Sequence, residues 1–337
     1  MSATTGRILV IRGGAIGDFI LTLPVLAALR REFPKARLEV LGYPHIARLA
    51  LEGGLADGVR SIEARPLAGF FARGGELDAT LAGDFAGFAV ILSYLYDPDG
   101  IFQENVARCS KGQFIAGPHR PDEKLNLHAA EALLKPLERL AIFGADPVPR
   151  LRMGPPARLP IPCFNPNGLP ETAAPEGGAG PGWDRPDAPP MLALHPGSGS
   201  EKKNWPEEHW GELIRQLIER TDIAVLLVGG EAEGDRLRRL SANIPLARLQ
   251  PAQGLSLTEL AGRLQTCRGF IGHDSGITHL AAALGLPGLV LWGDTNETVW
   301  RPQGGRMVVV RGVDGLRGIA VDSVMCRLRE LVSPPWW

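Results

Sequence analysis

Four stretches of the chain place reactive side chains where an apolar run gives way to glycine. In the first, GGAIGDFILTLP at 13–24, Asp18 falls in the first turn of a helix. A carboxylate there either caps the helix and meets its dipole or stands at a rim as a general base. In the second, HPGSGSEKKNWPEEHW at 195–210, a small polar loop offers Ser198, Gly199 and Ser200 as hydrogen-bond donors. Lys202 or Lys203 adds positive charge, so the loop suits phosphate oxygens or is a solvated connection. The third, VGGEAEGDRLRRL at 228–240, puts Glu231 and Glu233 after paired glycines, where an acid either caps a helix or accepts from ribose hydroxyls. The fourth, FIGHDSGITHLAAALGLPGLVLWG at 270–293, delivers His273, Asp274, Ser275 and Gly276 onto a helix start, with His279 one turn on. Free amides and the helix dipole make such a start an anion cradle.

Other candidates carry less. Asp97-Pro98-Asp99 matches an aspartate pair that can hold a metal, but DPDG is also a turn sequence. His195, ending a strand, is as readily a buried and satisfied histidine as a functional one. Cys109, Cys163, Cys267 and Cys326 form no CxxC pair and no ligand cluster, which reads as free thiols in a reducing compartment.

Elements that alternate in a regular way must position these residues. The first half reads strand 7–12, glycine turn, helix 18–33, strand 37–41, with a buried strand at 88–95 and a helix at 126–140 interrupted by Pro136. That is the βαβ pattern of a parallel sheet. The second half alternates strands at 191–195, 223–228, 246–250, 269–272 and 288–292 with helices at 207–219, 231–242, 256–264 and 275–284. A last helix spans 321–332, and Ser256 stands where it would cap its helix. Between the halves, 154–190 is dominated by Pro, Gly and Ala without hydrophobic period, and reads as a linker or surface excursion.

The 337 residues suit about two domains. With 45% hydrophobic and 22% charged residues the composition is that of a globular protein, neither disordered nor fibrous. A formal net charge of −1 gives no whole-molecule attraction to nucleic acid. The N-terminus lacks the pattern of a signal peptide, and no apolar run reaches the roughly 20 residues of a membrane span.

Taken together, GAIGDFILTLP, KNWPEEHW and IGHDSGITHLAAALGLP, in that order, resemble glycosyltransferase family 9, the bacterial heptosyltransferases of lipopolysaccharide core assembly. The resemblance implies a GT-B fold, an α/β architecture of two Rossmann-like doubly wound domains facing each other across a cleft. It implies an acceptor-binding domain at 1–153, the linker at 154–190, a nucleotide-sugar domain at 191–320, and a C-terminal helix at 321–337 that returns to the first domain. The activity it implies is inverting, metal-independent and cofactor-free transfer of a sugar, heptose from ADP-heptose, onto a lipid-linked, lipopolysaccharide-core-type acceptor. The enzyme would be cytoplasmic, peripheral on the inner face of the inner membrane. Its tail, Trp336 and Trp337, reads equally as a membrane contact or as packing.

By motif, Asp18 resembles the catalytic base, Lys203 the lysine on the donor diphosphate, and Glu233 the ribose acid, with Glu231 close enough to compete. Asp274 resembles the donor-sugar contact, Ser275 and Gly276 the backbone phosphate contacts, and His279 the histidine of the same motif. Ser198 is placed with the donor phosphates, and Leu255 lies against the base. An acidic acceptor would draw on basic residues of the first domain, for which Arg65, Arg120 and Lys124 are candidates. The nearest alternatives are a GT-B transferase or epimerase using another nucleotide-sugar, and a non-catalytic nucleotide-sugar-binding protein. An NAD-linked oxidoreductase is disfavoured because Arg12 occupies the first glycine position of the dinucleotide fingerprint.

Overall fold

The strands are short apolar runs covered on both faces, as parallel sheets require. The computed structural model describes residues 6–154, 189–230 and 233–331. Its first part runs β1 (Arg7–Arg12), α1 (Ile16–Ile20), α2 (Leu23–Glu32), β2 (Arg37–Gly42), α3 (Pro44–Glu52), β3 (Gly58–Ser61), α4 (Ala79–Ala86), β4 (Val90–Ser93), α5 (Ile101–Ala107), β5 (Gln113–Ala116) and α6 (Ala129–Leu134). The second runs β6 (Met191–His195), α7 (Glu207–Arg220), β7 (Ala224–Gly229), α8 (Gly234–Ser241), β8 (Leu249–Gln253), α9 (Leu257–Gln265), β9 (Gly269–His273), α10 (Gly276–Ala283), β10 (Gly288–Leu291), α11 (Glu297–Trp300), β11 (Met307–Val310) and α12 (Val321–Leu331).

All the pairings are parallel. The first sheet is ordered β3-β2-β1-β4-β5 and the second β11-β10-β9-β6-β7-β8. Each order reverses direction once, between β1 and β4 and between β6 and β9. Doubly wound sheets open a crevice at the carboxyl ends of the strands flanking that reversal, because the connecting helices leave to opposite faces there.

The two sheets share a core. One buried cluster joins Ile20, Leu26, Val40 and Leu133 of the first domain to Ala261, Phe270, Leu280 and Trp292 of the second. The outer face of the first sheet carries its own aromatic cluster around Phe70, Phe85 and Phe102. At the interface α1 meets α10 with almost no space. A Cβ on Gly276 would lie 2.8 Å from the Gly17 amide nitrogen and 2.7 Å from Ile16 Cβ. Only a glycine lets the two helix starts approach this closely.

Local capping explains several boundaries. Ser256 Oγ accepts from the Glu259 amide at 3.3 Å while the Ser256 amide donates to Glu259 Oε2 at 2.8 Å, a reciprocal cap that starts α9. Asp97 accepts from the amides of Phe102 and Gln103 at 3.1 and 3.0 Å, so its carboxylate closes the turn ahead of α5. The helix expected at 18–33 is two helices. Pro24 in the first turn of α2 has no N–H to continue α1, and the chain re-enters helix through Thr22. The segment at 126–140 divides likewise into α6, capped by His128, and a 3-10 turn at Lys135–Leu140 with Pro136 as its second residue. The strand expected at 246–250 begins three residues later, because the Arg248 and Leu249 amides close a turn on the Pro245 carbonyl.

Over its described residues, α12 does not return to the first domain. Its apolar stripe, Val324, Met325, Leu328 and Leu331, joins Leu213, Leu289 and Leu291 in the outer core of the second domain. Arg306 donates to the Leu331 carbonyl at 3.2 Å and Gln216 to Asp322 at 3.4 Å, holding both ends there. An amphipathic helix docks where an apolar face is open, and β10 beside α7 supplies it. Most of the 154–190 segment and the Trp336–Trp337 tail lie outside the described residues. Among those described, no helix is long and apolar enough to cross a membrane.

Candidate active site

A cavity of about 930 Å³ opens between the domains at both sheet-reversal points. Its walls come from the carboxyl ends of strands: Arg12 to Gly14 after β1, Tyr94 to Tyr96 after β4, Ser198 and Lys203 after β6, Asp274 to Gly276 after β9, and Asp294 to Asn296 after β10. Asp18, His279, Arg120 and Trp300 also line it.

On the first-domain side, β1 ends in an arginine that is only 3% exposed. Arg12 donates to the His119 carbonyl at 2.8 Å and to the Asp18 carbonyl at 3.3 Å, and its Nη2 lies 3.4 Å from Asp18 Oδ1. Burial pulls this guanidinium below its ordinary value, and the Asp18 charge opposes that pull. The second oxygen of Asp18 accepts from the Ala15 amide at 3.0 Å. Both readings of Asp18 therefore hold together: it caps α1 and keeps a carboxylate 31% exposed at the cavity. Gly14 permits this because its φ is +97° and a Cβ would fall 2.7 Å from Asp18 Oδ2.

On the second-domain side, two buried histidines hold the loops. His273 Nε2 accepts from the Trp205 amide at 2.8 Å, so Nδ1 carries the proton and faces the Gly197 carbonyl at 3.3 Å. Burial pushes His273 down to about 4, which keeps it neutral and able to accept. It clips the 197–205 loop to the end of β9. His195 Nδ1 lies 3.3 Å from Ser275 Oγ, and burial takes its value to about 3. Ser275 is the N-cap of α10 and accepts from the Thr278 amide at 3.3 Å. Its hydroxyl is thus committed to structure, and what it offers a ligand is backbone. His279, buried and pushed down to about 4 by desolvation, presents a neutral ring one turn into α10, close to Gly17.

The charged centre of this half is a pair: Lys203 Nζ donates to Asp274 Oδ2 at 2.8 Å. Lys203 ends a 3-10 turn at Glu201–Lys203 and is 46% exposed, whereas Asp274 is 12% exposed. Ser198 Oγ lies 2.7 Å from Asn204 Oδ1 and 2.9 Å from the Ser200 carbonyl, bracing the same loop.

Of the residues singled out from sequence, Asp18, Ser198, Lys203, Asp274, Ser275, Gly276, His279 and Arg120 line the one cavity. Glu233 does not. Its carboxylate folds back to accept from the Gly230 amide at 3.0 Å, and it closes on Gly197 so tightly that a Cβ there would lie 2.6 Å from Oε1. Glu231 lies outside the described residues. Leu255 packs against the shared core, and neither Arg65 nor Lys124 lines the cavity. The sequence reading passed over Arg12, Tyr96, His119, Asp294 and Trp300. The signal was available for three of them, since Arg12, Tyr96 and Asp294 each stand at or just past the end of an apolar run. Among the described residues no group of three His, Cys, Asp or Glu side chains is placed to hold a metal ion.

Residues 174–316 match the profile of the family described as Glycosyltransferase family 9 (heptosyltransferase). Lipopolysaccharide heptosyltransferase 1 of Pseudomonas aeruginosa is 40% identical over 111 residues, 33% of this chain and 30% of that protein. Lipopolysaccharide heptosyltransferase 1 of Escherichia coli K12 is 32% identical over 132 residues, 39% of this chain and 41% of that protein. The chain therefore spans about a third of the length of the curated relatives it matches. The backbone likeness extends over nearly the whole chain. The glycosyl transferase family 9 structure from Veillonella parvula superposes with a TM-score of 0.72 at 16% identity, covering 98% of both chains. E. coli ADP-heptose lps heptosyltransferase II does so with a TM-score of 0.70 at 17% identity, covering 96% of this chain and 98% of that one. The fold is GT-B.

Proposed function

We propose, from the match of residues 174–316 to the glycosyltransferase family 9 (heptosyltransferase) profile, that this protein is an inverting glycosyltransferase that moves heptose from ADP-heptose onto a hydroxyl of a lipid-linked, lipopolysaccharide-core-type acceptor. The observation that carries the reading is the meeting, in one interdomain cavity, of a partly exposed carboxylate from the first domain with an exposed lysine and a helix start from the second.

In this reading the donor lies along the second domain with its diphosphate at the amino end of α10 and Lys203. The diphosphate competes with Asp274 for the lysine, so the existing ion pair keeps the ammonium oriented until a ligand arrives. The acceptor hydroxyl lies against Asp18. Asp18 takes its proton as the oxygen bonds to the anomeric carbon. The bond from that carbon to the diphosphate oxygen breaks on the opposite face, inverting the centre, and ADP leaves with the electron pair. Lys203 and the first-turn amides of α10 meet the charge growing on the leaving group, an electrostatic term that is often the largest in such reactions. His279 stays neutral beside it and adds no charge of its own. The reaction on this account asks for no metal. A lipid-linked acceptor places the enzyme at the cytoplasmic face of the membrane.

Replacing Asp18 with Ala tests the assignment. General-base help contributes roughly 10²–10⁴-fold, so transfer should fall by that factor. ADP affinity by titration calorimetry should stay within twofold, because Asp18 belongs to the other domain. Transfer at the wild-type rate would sink the assignment.

A further inference from the structure

The loop that carries Lys203 is tied at both ends to one buried ring. His273 closes β9 with no exposed surface. Its Nδ1 faces the Gly197 carbonyl at 3.3 Å where the loop begins, and its Nε2 accepts from the Trp205 amide at 2.8 Å where the loop ends. The next residue is Asp274, which accepts from the Lys203 ammonium at 2.8 Å. One strand end therefore fixes the backbone on either side of Lys203 and the carboxylate that orients its side chain.

The other polar ties along 198–204 are local or exposed. Ser198 Oγ bonds Asn204 Oδ1 and the Ser200 carbonyl, and the Lys203 amide donates to that same carbonyl at 3.0 Å, all within the loop. Glu201 reaches Arg236 of α8 at 2.7 Å, but it is 81% exposed. Exposed pairs contribute little, whereas a buried amide that loses its acceptor is costly. The Trp205 indole donates to the Ile319 carbonyl at 3.0 Å, which anchors the indole and leaves the amide to His273. Trp210 stands edge-on to the imidazole, 5.5 Å between ring centres, and packs it in place. His273 does not itself line the cavity.

We infer that His273 is a positioning residue for the donor site: its ring, bridging Gly197 and Trp205 beside Asp274, holds Lys203 where a nucleoside diphosphate meets it. The inference rests on the transferase reading above and adds the residue that organises its donor side. Once the Trp205 tie is lost, the turn at Glu201–Lys203 moves more freely, and the lysine spends less time beside the amino end of α10. Side-chain reach separates the two ties. An Asn at 273 extends only as far as Nδ1 and stops short of the Trp205 amide, whereas a Gln extends as far as Nε2 and offers an oxygen there.

Titration calorimetry with ADP on the wild type, His273→Asn and His273→Gln, each with and without Lys203→Ala, tests the role. His273→Asn should weaken ADP binding about fivefold or more, and His273→Gln should stay within about twofold of the wild type. Lys203→Ala should cost about 10- to 100-fold in the wild type but less than about threefold in His273→Asn, because the lysine is already misplaced there. A ring that only keeps the domain folded would lower the melting temperature and leave the two losses additive. Additive losses, or unchanged ADP affinity in folded His273→Asn, would overturn the positioning role. A second measurement leaves position 273 intact. Coupling is reciprocal, so saturating ADP should slow hydrogen exchange at the Trp205 amide about tenfold in the wild type and less than about threefold in Lys203→Ala. Equal slowing in both proteins would also overturn it. Failure of ADP to bind the wild type, or undiminished binding by Lys203→Ala, would instead sink the donor reading, and the role of His273 with it.

Discussion

Two ion pairs face the same cavity from opposite domains, and they are inverted. In the first, the cation Arg12 is buried at the end of β1 and the carboxylate of Asp18 is turned outward. In the second, Asp274 is sheltered at the start of α10 and the ammonium of Lys203 is turned outward. Burial decides which partner a ligand meets. The first domain thus presents a carboxylate held by a fixed guanidinium, and the second presents a positive charge held by a fixed carboxylate. The contacts differ too. Arg12–Asp18 is long, at 3.4 Å, and Asp18 is oriented mostly by the Ala15 amide. Lys203–Asp274 is a direct hydrogen bond at 2.8 Å that a stronger anion can displace. A charged pair at a site need not contribute much stability to be useful. What matters here is that one member is immobile and the other available.

The widest expected difference between the halves is in acid. His195, His273 and His279, all in the second domain, are pushed down by burial to about 3, 4 and 4. The unfolded chain takes up these protons first, near its ordinary value of 6.5, so their contribution is full above that value. It is lost as pH falls from 6.5 toward 4. Between pH 7.5 and 5.5 each histidine should cost roughly 1 kcal/mol of stability. Urea unfolding at the two pH values measures the sum, and His279→Gln should reduce the dependence by about one histidine's share. A pH-independent midpoint would show that the second half is not held by neutral histidines.

A smaller effect follows from removing the outward cation. Lys203→Ala should weaken ADP binding about 10- to 100-fold, the range for losing a charge-assisted hydrogen bond, as read by calorimetry. An unchanged affinity would mean the diphosphate lies elsewhere. The smallest effect sharpens the same pair from its other side. Asp274→Asn frees Lys203 and removes a negative charge beside the diphosphate, so ADP should bind about two- to fivefold tighter, in keeping with a partly exposed pair. Weaker ADP binding in that variant would mean that the carboxylate orients the lysine more than it competes for it.

Parts of this site can be read from short stretches of chain. The glycine turn before Asp18, the Asp-Ser-Gly start of α10 and the reciprocal cap at Ser256 are contacts within a few residues, so residue type and spacing are enough. The same is true of the apolar runs that become β1, β6, β7 and β9, which are buried on both faces and so appear as unbroken hydrophobic segments. Elements of the first domain between 43 and 86 were harder, because α3, β3 and α4 are short and β3 is only half-buried. Glu233 shows the limit within a motif. Its place after two glycines suits a ribose contact, but its carboxylate turns back to the Gly230 amide, a choice that depends on how closely the 197 loop approaches.

Residue order alone is sufficient for the alternation of strands and helices, for two α/β sheets, and for the capped helix start at Ser275 and Gly276, because each of these rests on neighbours along the chain. It says nothing of which strand ends face one another. The approach of Gly17 to Gly276, the burial that leaves Asp18 and Lys203 as the outward partners, the gathering of Tyr96, Asp294 and Trp300 into the same walls, and the docking of α12 beside α7 all depend on contacts between segments far apart in the chain. Those follow from the order of strands in each sheet and from the apolar cluster that joins the sheets, and no periodicity in a single segment encodes them.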